Sequence, residues 1–254
     1  MADPILIEMH GEIALLTLNR PEARNAVNFE VMDAFDDTLP RLNADPGVRG
    51  AVLTGAGSQA FSAGMDVKVA AGFDAEAAAR WMRRTKLFFS TLRHFDKPLV
   101  AAVNGVAAGL GYQIALLCDV RVGHDGARMG QPEINVGLAS IIGAHLMGLS
   151  LGHSRTVELT LSGRLMAGAE CQALGLFHRL VEADQVVSQA LDLARTLGQK
   201  PPNAMRLTKQ RFREATQAAF DATFEAGAHF QAEAYASGEP QRVMAAFIAE
   251  RGKR

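Results

Sequence analysis

The chain has 254 residues, 48% hydrophobic and 21% charged, with a formal net charge of −1. This is enough apolar material for one large core with a smaller appendage, and it lacks the basic field that a general nucleic-acid binder needs. Two well-separated cysteines, Cys118 and Cys171, show no disulfide or metal spacing; the opening MADPILIEMHGE is neither a signal nor a transit peptide, and no uncharged apolar run reaches membrane-spanning length. The expectation is a cytoplasmic protein that binds neither nucleic acid nor membrane and holds no metal, with the closing run ERGKR a solvated basic tail.

Taken in chain order, ILIEMHGEIALLTLN reads as two short strands around His10 and Gly11. RPEARNAVN is a loop. NFEVMDAFDDTLPRL places Val31, Met32, Phe35 and Leu39 at helical spacing. VRGAVLTG is an apolar, β-branched strand that ends in a glycine turn. That turn matches a dinucleotide fingerprint at Gly55, Gly57 and Ala60, but it runs into FSAGMD rather than into a helix, so an ordinary turn is the better reading. AEAAARWMRRTKLFFSTLRHF is an amphipathic helix, KPLVAAVNG a buried strand, GLGYQIALLCD a helix that starts after glycines, and VRVG a further strand. From Ser140 onward the pattern is almost wholly helical. The two prolines of QKPPNA break it and divide the chain into residues 1–198 and 199–254. Strands separated by helices, followed by a helical end, predict an α/β layered fold with a C-terminal helical region.

Three stretches carry candidate chemistry. In AFSAGMD, small residues around Gly64 let the backbone approach a ligand and leave N–H groups free to point at it; the alternative is a turn capped by Asp66. NGVAAGLG sets Gly105, Gly109 and Gly111 before a helix start, where unpaired N–H groups and the positive dipole end face an anionic oxygen; the alternative is close helix-on-strand packing. In MGQPEINVG, Glu133 lies among apolar residues, which raises its pKa toward the range of a general base; the alternative is a solvated loop carboxylate. His145, in IIGAHLM, reads as a core histidine.

Together, in this order and spacing, LNRPEARNAV, VLTGAGSQAFSAGMDVK, KPLVAAVNGVAAGLGYQIALLCDVRV, MGQPEINVGL and SGRLMAGAECQALGLFHRLV resemble the enoyl-CoA hydratase/isomerase (crotonase) family. The tail segment FQAEAYASGEPQRVMAAFIAERGK is similar more loosely. The resemblance implies a spiral of ββα turns over residues 1–198 and a C-terminal helical oligomerisation region over 199–254, assembled as a homotrimer or hexamer. Phe220, Phe224 and Phe230 put apolar residues on more than one face of those last helices, which also predicts association. The implied substrate is an acyl-CoA thioester; coenzyme A is part of it, and no separate cofactor is expected.

The family's common step is an enolate-like anion held by two backbone N–H groups. Carried over, these are Ala63 and Leu110, with coenzyme A contacts at Ala23, Arg24, Ala63, Gly64 and Asp66. The resemblance makes the helix of Trp81, Phe88 and Phe89 either a wall of the acyl pocket or plain core. Hydratases of the family carry two glutamates. Here Glu133 occupies one position and Gln113 the other, while a further acidic position used by some relatives falls at Ile141, beside Ser140 where proline is usual. One carboxylate favours moving a double bond along an enoyl-CoA, or single-glutamate hydration with Gln113 holding the water, since an amide orients water but shuttles no proton. The alternative is a catalytically silent acyl-CoA-binding or assembly subunit.

Overall fold

The apolar runs of the first half of the chain become strands: the first, Ile5–His10, stays mostly exposed at the sheet edge, and the later ones are shielded on both faces. The computed structural model describes residues 3–251. β1 (Ile5–His10) and β2 (Ile13–Leu18) form an antiparallel hairpin. β3 (Gly50–Gly55) and β5 (Leu99–Val103) are buried at every position, the pattern of parallel strands covered above and below. With β7 (Val120–Gly123) and β10 (Arg179–Leu180) they make a six-stranded sheet, ordered β1-β2-β3-β5-β7-β10 and parallel from β2 onward. Alternation along the strands divides their side chains between two cores. Leu53, Ala101 and Val103 join the main one; Val52, Val100, Ala102 and Val122 pack under α7 (Val186–Gly198).

A second, four-stranded sheet contains β4 (Ala60–Ser62), β6 (Val106–Ala108), β8 (Arg128–Gly130) and β9 (Leu165–Ala167). The chain runs from β3 to β4, from β5 to β6 and from β7 to β8. Each turn thus places one strand in either sheet and then a helix: α3 (Ala75–Arg93) after the short α2 (Val67–Ala70), then α4 (Leu110–Leu117), then α5 (Ile142–Ser162). This is the spiral of ββα turns that the resemblance implies. The helix before it, α1 (Phe29–Ala44), is capped by Asn28 and buries Val31, Met32, Phe35 and Leu39, as their spacing predicts.

Several short elements escape the sequence reading. β6, β8 and β9 have three residues each and β10 two, too few to show a period; β9 and β10 make the region after Ser140 less purely helical than its pattern suggests. α5 is interrupted at Gly152, whose φ is 71° and ψ 172°, so IIGAHLMGL and SRTVELTLSG are separate helical stretches on either side of a kink. The glycine turn after β3 is taken up internally. Asn104 Nδ2 donates to the carbonyls of Gly55 and Gly57, both at 2.7 Å, and the Gly55 N–H donates back to Asn104 Oδ1.

After α6 (Gly168–Ala173), β10 and α7, Pro201 and Pro202 start α8 (Pro202–Ala236), followed by α9 (Glu239–Arg251). α8 returns along α3: Phe224 meets Phe89 edge-on at 5.9 Å, and the Arg93 guanidinium lies 4.1 Å over the Phe220 ring. Phe220 and Phe224 are therefore buried in the main core of their own chain, and the association argument built on them does not hold. Of the three phenylalanines only Phe230 is exposed. No helix among the described residues is long and apolar enough to cross a membrane. Residues 252–254, the end of the basic run, lie outside the described residues.

Candidate active site

The site forms where the start of α4 meets the turn that follows β8. Gly109 has φ 53° and ψ −121°, a backbone shape that residues with a side chain avoid. Its N–H donates to the Gly130 carbonyl at 2.9 Å, and a Cβ there would sit 3.2 Å from Glu133 Oε1. The missing side chain gives the chain its turn into α4 and gives the carboxyl its room.

Glu133 opens a 3-10 turn, Glu133–Val136, after Pro132. Its Oε1 accepts from Gln113 Nε2 at 3.0 Å and from Gln131 Nε2 at 2.8 Å; its Oε2 accepts from Ser140 Oγ at 3.5 Å. Burial pushes the carboxyl up to about 7, the direction the sequence predicts, although Ile134 beside it is exposed, and the hydrogen bonds from Gln131, Ser140 and Gln113 hold it from rising further. The fold thus brings together Glu133 and Gln113, twenty residues apart in sequence.

Gln131 and Ser140 are the members that sequence reasoning missed. Gln131 is fully buried, and its place two residues before Glu133 in the word MGQPE was the available signal. Its space is borrowed from α5: a Cβ on Gly143 would fall 1.5 Å from Gln131 Nε2. Gly143→Ala therefore expels the amide. The carboxylate loses a donor that favours its charged form, so its pKa rises and the low-pH limb of the pH–rate profile moves upward. A profile that stays centred near pH 7 in the folded variant would remove Gln131 from this role.

Ionising Glu133 also works against the fold. Its folded pKa, about 7, lies above the ordinary 4.5, so the folded state binds the proton more tightly than the unfolded chain does. Stability falls as pH rises from about 4.5 to 7, and the full penalty of up to about 3 kcal/mol persists above that range. Glu133→Gln is expected to raise the melting temperature at pH 8 and to lose this advantage near pH 4, as thermal unfolding at the two pH values will show.

Opposite these groups lies the loop after β4. Val27 donates to the Gly64 carbonyl at 2.8 Å and accepts from the Asp66 N–H at 3.0 Å, a parallel bridge across Met65. The Met65 N–H points away from that bridge and has no acceptor among the described hydrogen bonds. Gly64, with φ 95°, brings this loop against α4: a Cβ there would lie 2.5 Å from the Ala108 carbonyl and 3.2 Å from Leu110 N. Leu110 is the first residue of α4, where an N–H has no acceptor inside the helix. The Ala63 N–H, by contrast, already donates to the Arg24 carbonyl at 2.9 Å. Ala63 is therefore corrected as a free donor, and Met65, two residues on, takes its place.

A cavity of about 1260 Å³ joins these parts; Glu133, Gln113, Leu110 and Met65 line it. Ala23, Arg24, Ala63, Gly64 and Asp66 line it too. Arg24 is exposed and forms no ion pair among the described residues. Asp66 is already occupied: Oδ1 accepts from the Lys68 N–H at 3.1 Å, capping α2, and Oδ2 pairs with Arg20 at 3.0 Å. The capping reading of Asp66 therefore describes its contacts, and a ligand there meets a carboxylate already paired. Trp81 and Ile141 line the cavity, whereas Phe88 and Phe89 belong to the core. His145 lies outside the cavity lining, with Nε2 buried and unpartnered, and burial holds its pKa below the ordinary value.

Comparison with known proteins places this geometry among relatives. The family profile described as enoyl-CoA hydratase/isomerase matches residues 8–254. A probable enoyl-CoA hydratase of Mycobacterium bovis is 34% identical over 260 aligned positions, covering 98% of this chain and 96% of that one. Among solved structures, an enoyl-CoA hydratase/isomerase from Mycobacterium paratuberculosis superposes with a TM-score of 0.87 at 27% identity, covering 96% and 98% of the two chains. A carnitinyl-CoA dehydratase from Mycobacterium avium superposes with a TM-score of 0.81 at 32% identity, covering 94% and 96%.

Proposed function

The chain belongs to the enoyl-CoA hydratase/isomerase family, an acyl-CoA-processing enzyme, and from that premise we propose that it isomerises the double bond of an enoyl-CoA with Glu133 as its single acid/base. The observation that carries this reading is the Gln113 amide, hydrogen-bonded to Glu133 where a second carboxylate would shuttle protons. The thioester carbonyl accepts from the Met65 and Leu110 N–H groups. Glu133, ionised, takes a proton from the α carbon, and the negative charge moves onto the carbonyl oxygen, where the two donors stabilise it. The same carboxyl returns the proton to the γ carbon, and the double bond ends in conjugation with the thioester. A pKa near 7 suits both halves of that exchange.

Hydration is the second reading, favoured by the names of the relatives, of which the Mycobacterium bovis protein is a probable hydratase. In that reading Gln113 holds the water and Glu133 both takes and returns its proton. A panel of 2- and 3-enoyl-CoA thioesters in deuterated water, followed by mass spectrometry, separates the two: isomerisation leaves the formula unchanged apart from deuterium, and hydration adds one water. Gln113→Ala then lowers isomerisation by about tenfold or less but hydration by about 10²-fold or more, since only the second reaction loses an anchored reactant. Turnover of no thioester in the panel would overturn both. Against the silent-subunit alternative, the catalytic reading is supported by a carboxyl raised to about 7 beside the Met65 and Leu110 N–H groups.

Assembly as a homotrimer or hexamer belongs to the same proposal. Its support lies in apolar side chains other than those first considered: Leu149 and Leu161 on α5, Leu207 and Phe212 on α8, all exposed. Light scattering that finds a monomer at micromolar concentration would overturn it.

A further inference from the structure

The two sides of the cavity differ in polarity. Its cations, Arg20, Arg24 and Lys68, come from the loop before α1 and from the start of α2. Ala78, Trp81, Met82, Ile141 and Ile142, from α3 and the start of α5, make an apolar wall. An alkyl chain gains by leaving water against the second, and phosphate oxygens find their partners at the first. Behind the apolar wall stands Gly227, inside α8. It does not itself line the cavity. A Cβ there would lie 2.9 Å from Met82 Cε and 3.1 Å from Ile142 Cδ1. Both gaps are tighter than ordinary van der Waals contact, so the ends of these two side chains occupy the space that a larger residue at 227 would fill.

A glycine inside a helix weakens it relative to alanine, so Gly227 asks for a reason. Backbone shape is not the reason, because Gly227 is not among the glycines of positive φ. Close approach of two backbones is not the reason either. At Gly111 the atom nearest to an added Cβ is the Ser62 carbonyl oxygen, whereas at Gly227 the three nearest all belong to side chains. What the glycine provides is room for Met82 and Ile142 to lie back against α8. Met82 is buried but flexible, so a methyl group at 227 displaces its end rather than the helices. The protein interior is close-packed, and the open side of both residues is the cavity. We propose that Gly227 sets the depth of the acyl pocket through Met82 and Ile142, and with it the length of acyl chain that the site prefers. This rests on the acyl-CoA reading of the cavity.

The test uses binding, so that it stands apart from turnover. Saturated straight-chain thioesters from butyryl-CoA to dodecanoyl-CoA are titrated into the full-length protein by calorimetry. Each added methylene that meets the apolar wall should tighten binding about fourfold, until the pocket is full and the gain stops. In Gly227→Ala the gain should stop at a shorter chain. The thioester that just fills the natural pocket should then bind about tenfold more weakly, while butyryl-CoA binds as before. Met82→Ala alone enlarges the pocket from the same side and should move the stop to a longer chain; added to Gly227→Ala, it should restore the lost length. A stop at one length in all the variants, a loss in Gly227→Ala spread evenly over every chain, or failure of Met82→Ala to restore the longer chains overturns the role of Gly227 and leaves the acyl-CoA reading intact. Binding of no thioester overturns both.

Discussion

Glu133→Gln is expected to abolish turnover together with exchange of substrate protons into deuterated water. General bases contribute about 10²–10⁴-fold, and the loss here should reach or exceed the top of that range. The reason is in the geometry. The groups that touch the carboxyl are the amides of Gln113 and Gln131 and the hydroxyl of Ser140, and none of them can take a proton from carbon near neutral pH. The substitution is nearly isosteric, so binding of the thioester should persist, and the variant should be the more stable protein at pH 8. Loss of activity with a gain in stability separates a catalytic role from a structural one. A variant that still exchanges protons at an undiminished rate would show that Glu133 is not the base.

Leu110→Pro is expected to lower turnover by about 10²–10³-fold, the usual effect of removing one donor to an oxyanion. Position 110 suits the experiment because it is the first residue of α4, where proline is tolerated and no helical hydrogen bond is lost. Leu110→Ala is the control. It empties part of the cavity but keeps the N–H, so it should retain the chemistry and accept bulkier acyl groups. Circular dichroism establishes that the proline variant is folded. Near wild-type turnover in that folded protein would take the Leu110 N–H out of the reaction. No equivalent test reaches Met65 so cleanly, because that residue lies between the two backbone hydrogen bonds that tie its loop to Val27.

The sequence by itself determined what depends on neighbours along the chain. The unbroken apolar runs at Val52 and Val100 specify buried parallel strands. The spacing of Val31, Met32, Phe35 and Leu39 specifies the buried face of α1. The apolar flanks of Glu133 point to a raised pKa, and the direction holds, but Ile134 is itself exposed, so the burial comes from the fold rather than from these neighbours. These signals are local, since periodicity and flanking polarity are written within a few residues. Only the tertiary structure decided the questions of partnership. Gln113 and Glu133 meet across twenty positions, and Gln131 reaches them only because Gly143, on another element, leaves the space. Asp66 is paired by Arg20, forty-six positions away. Phe220 and Phe224 look like an unpartnered face until α3 covers them. The clearest case is the choice between Ala63 and Met65. The two N–H groups belong to one short turn and are equivalent in sequence; the Arg24 carbonyl consumes the first, and the bridge to Val27 turns the second outward. A hydrogen-bond donor is available for chemistry only when nothing else in the fold accepts it, and that acceptor comes from a distant part of the chain.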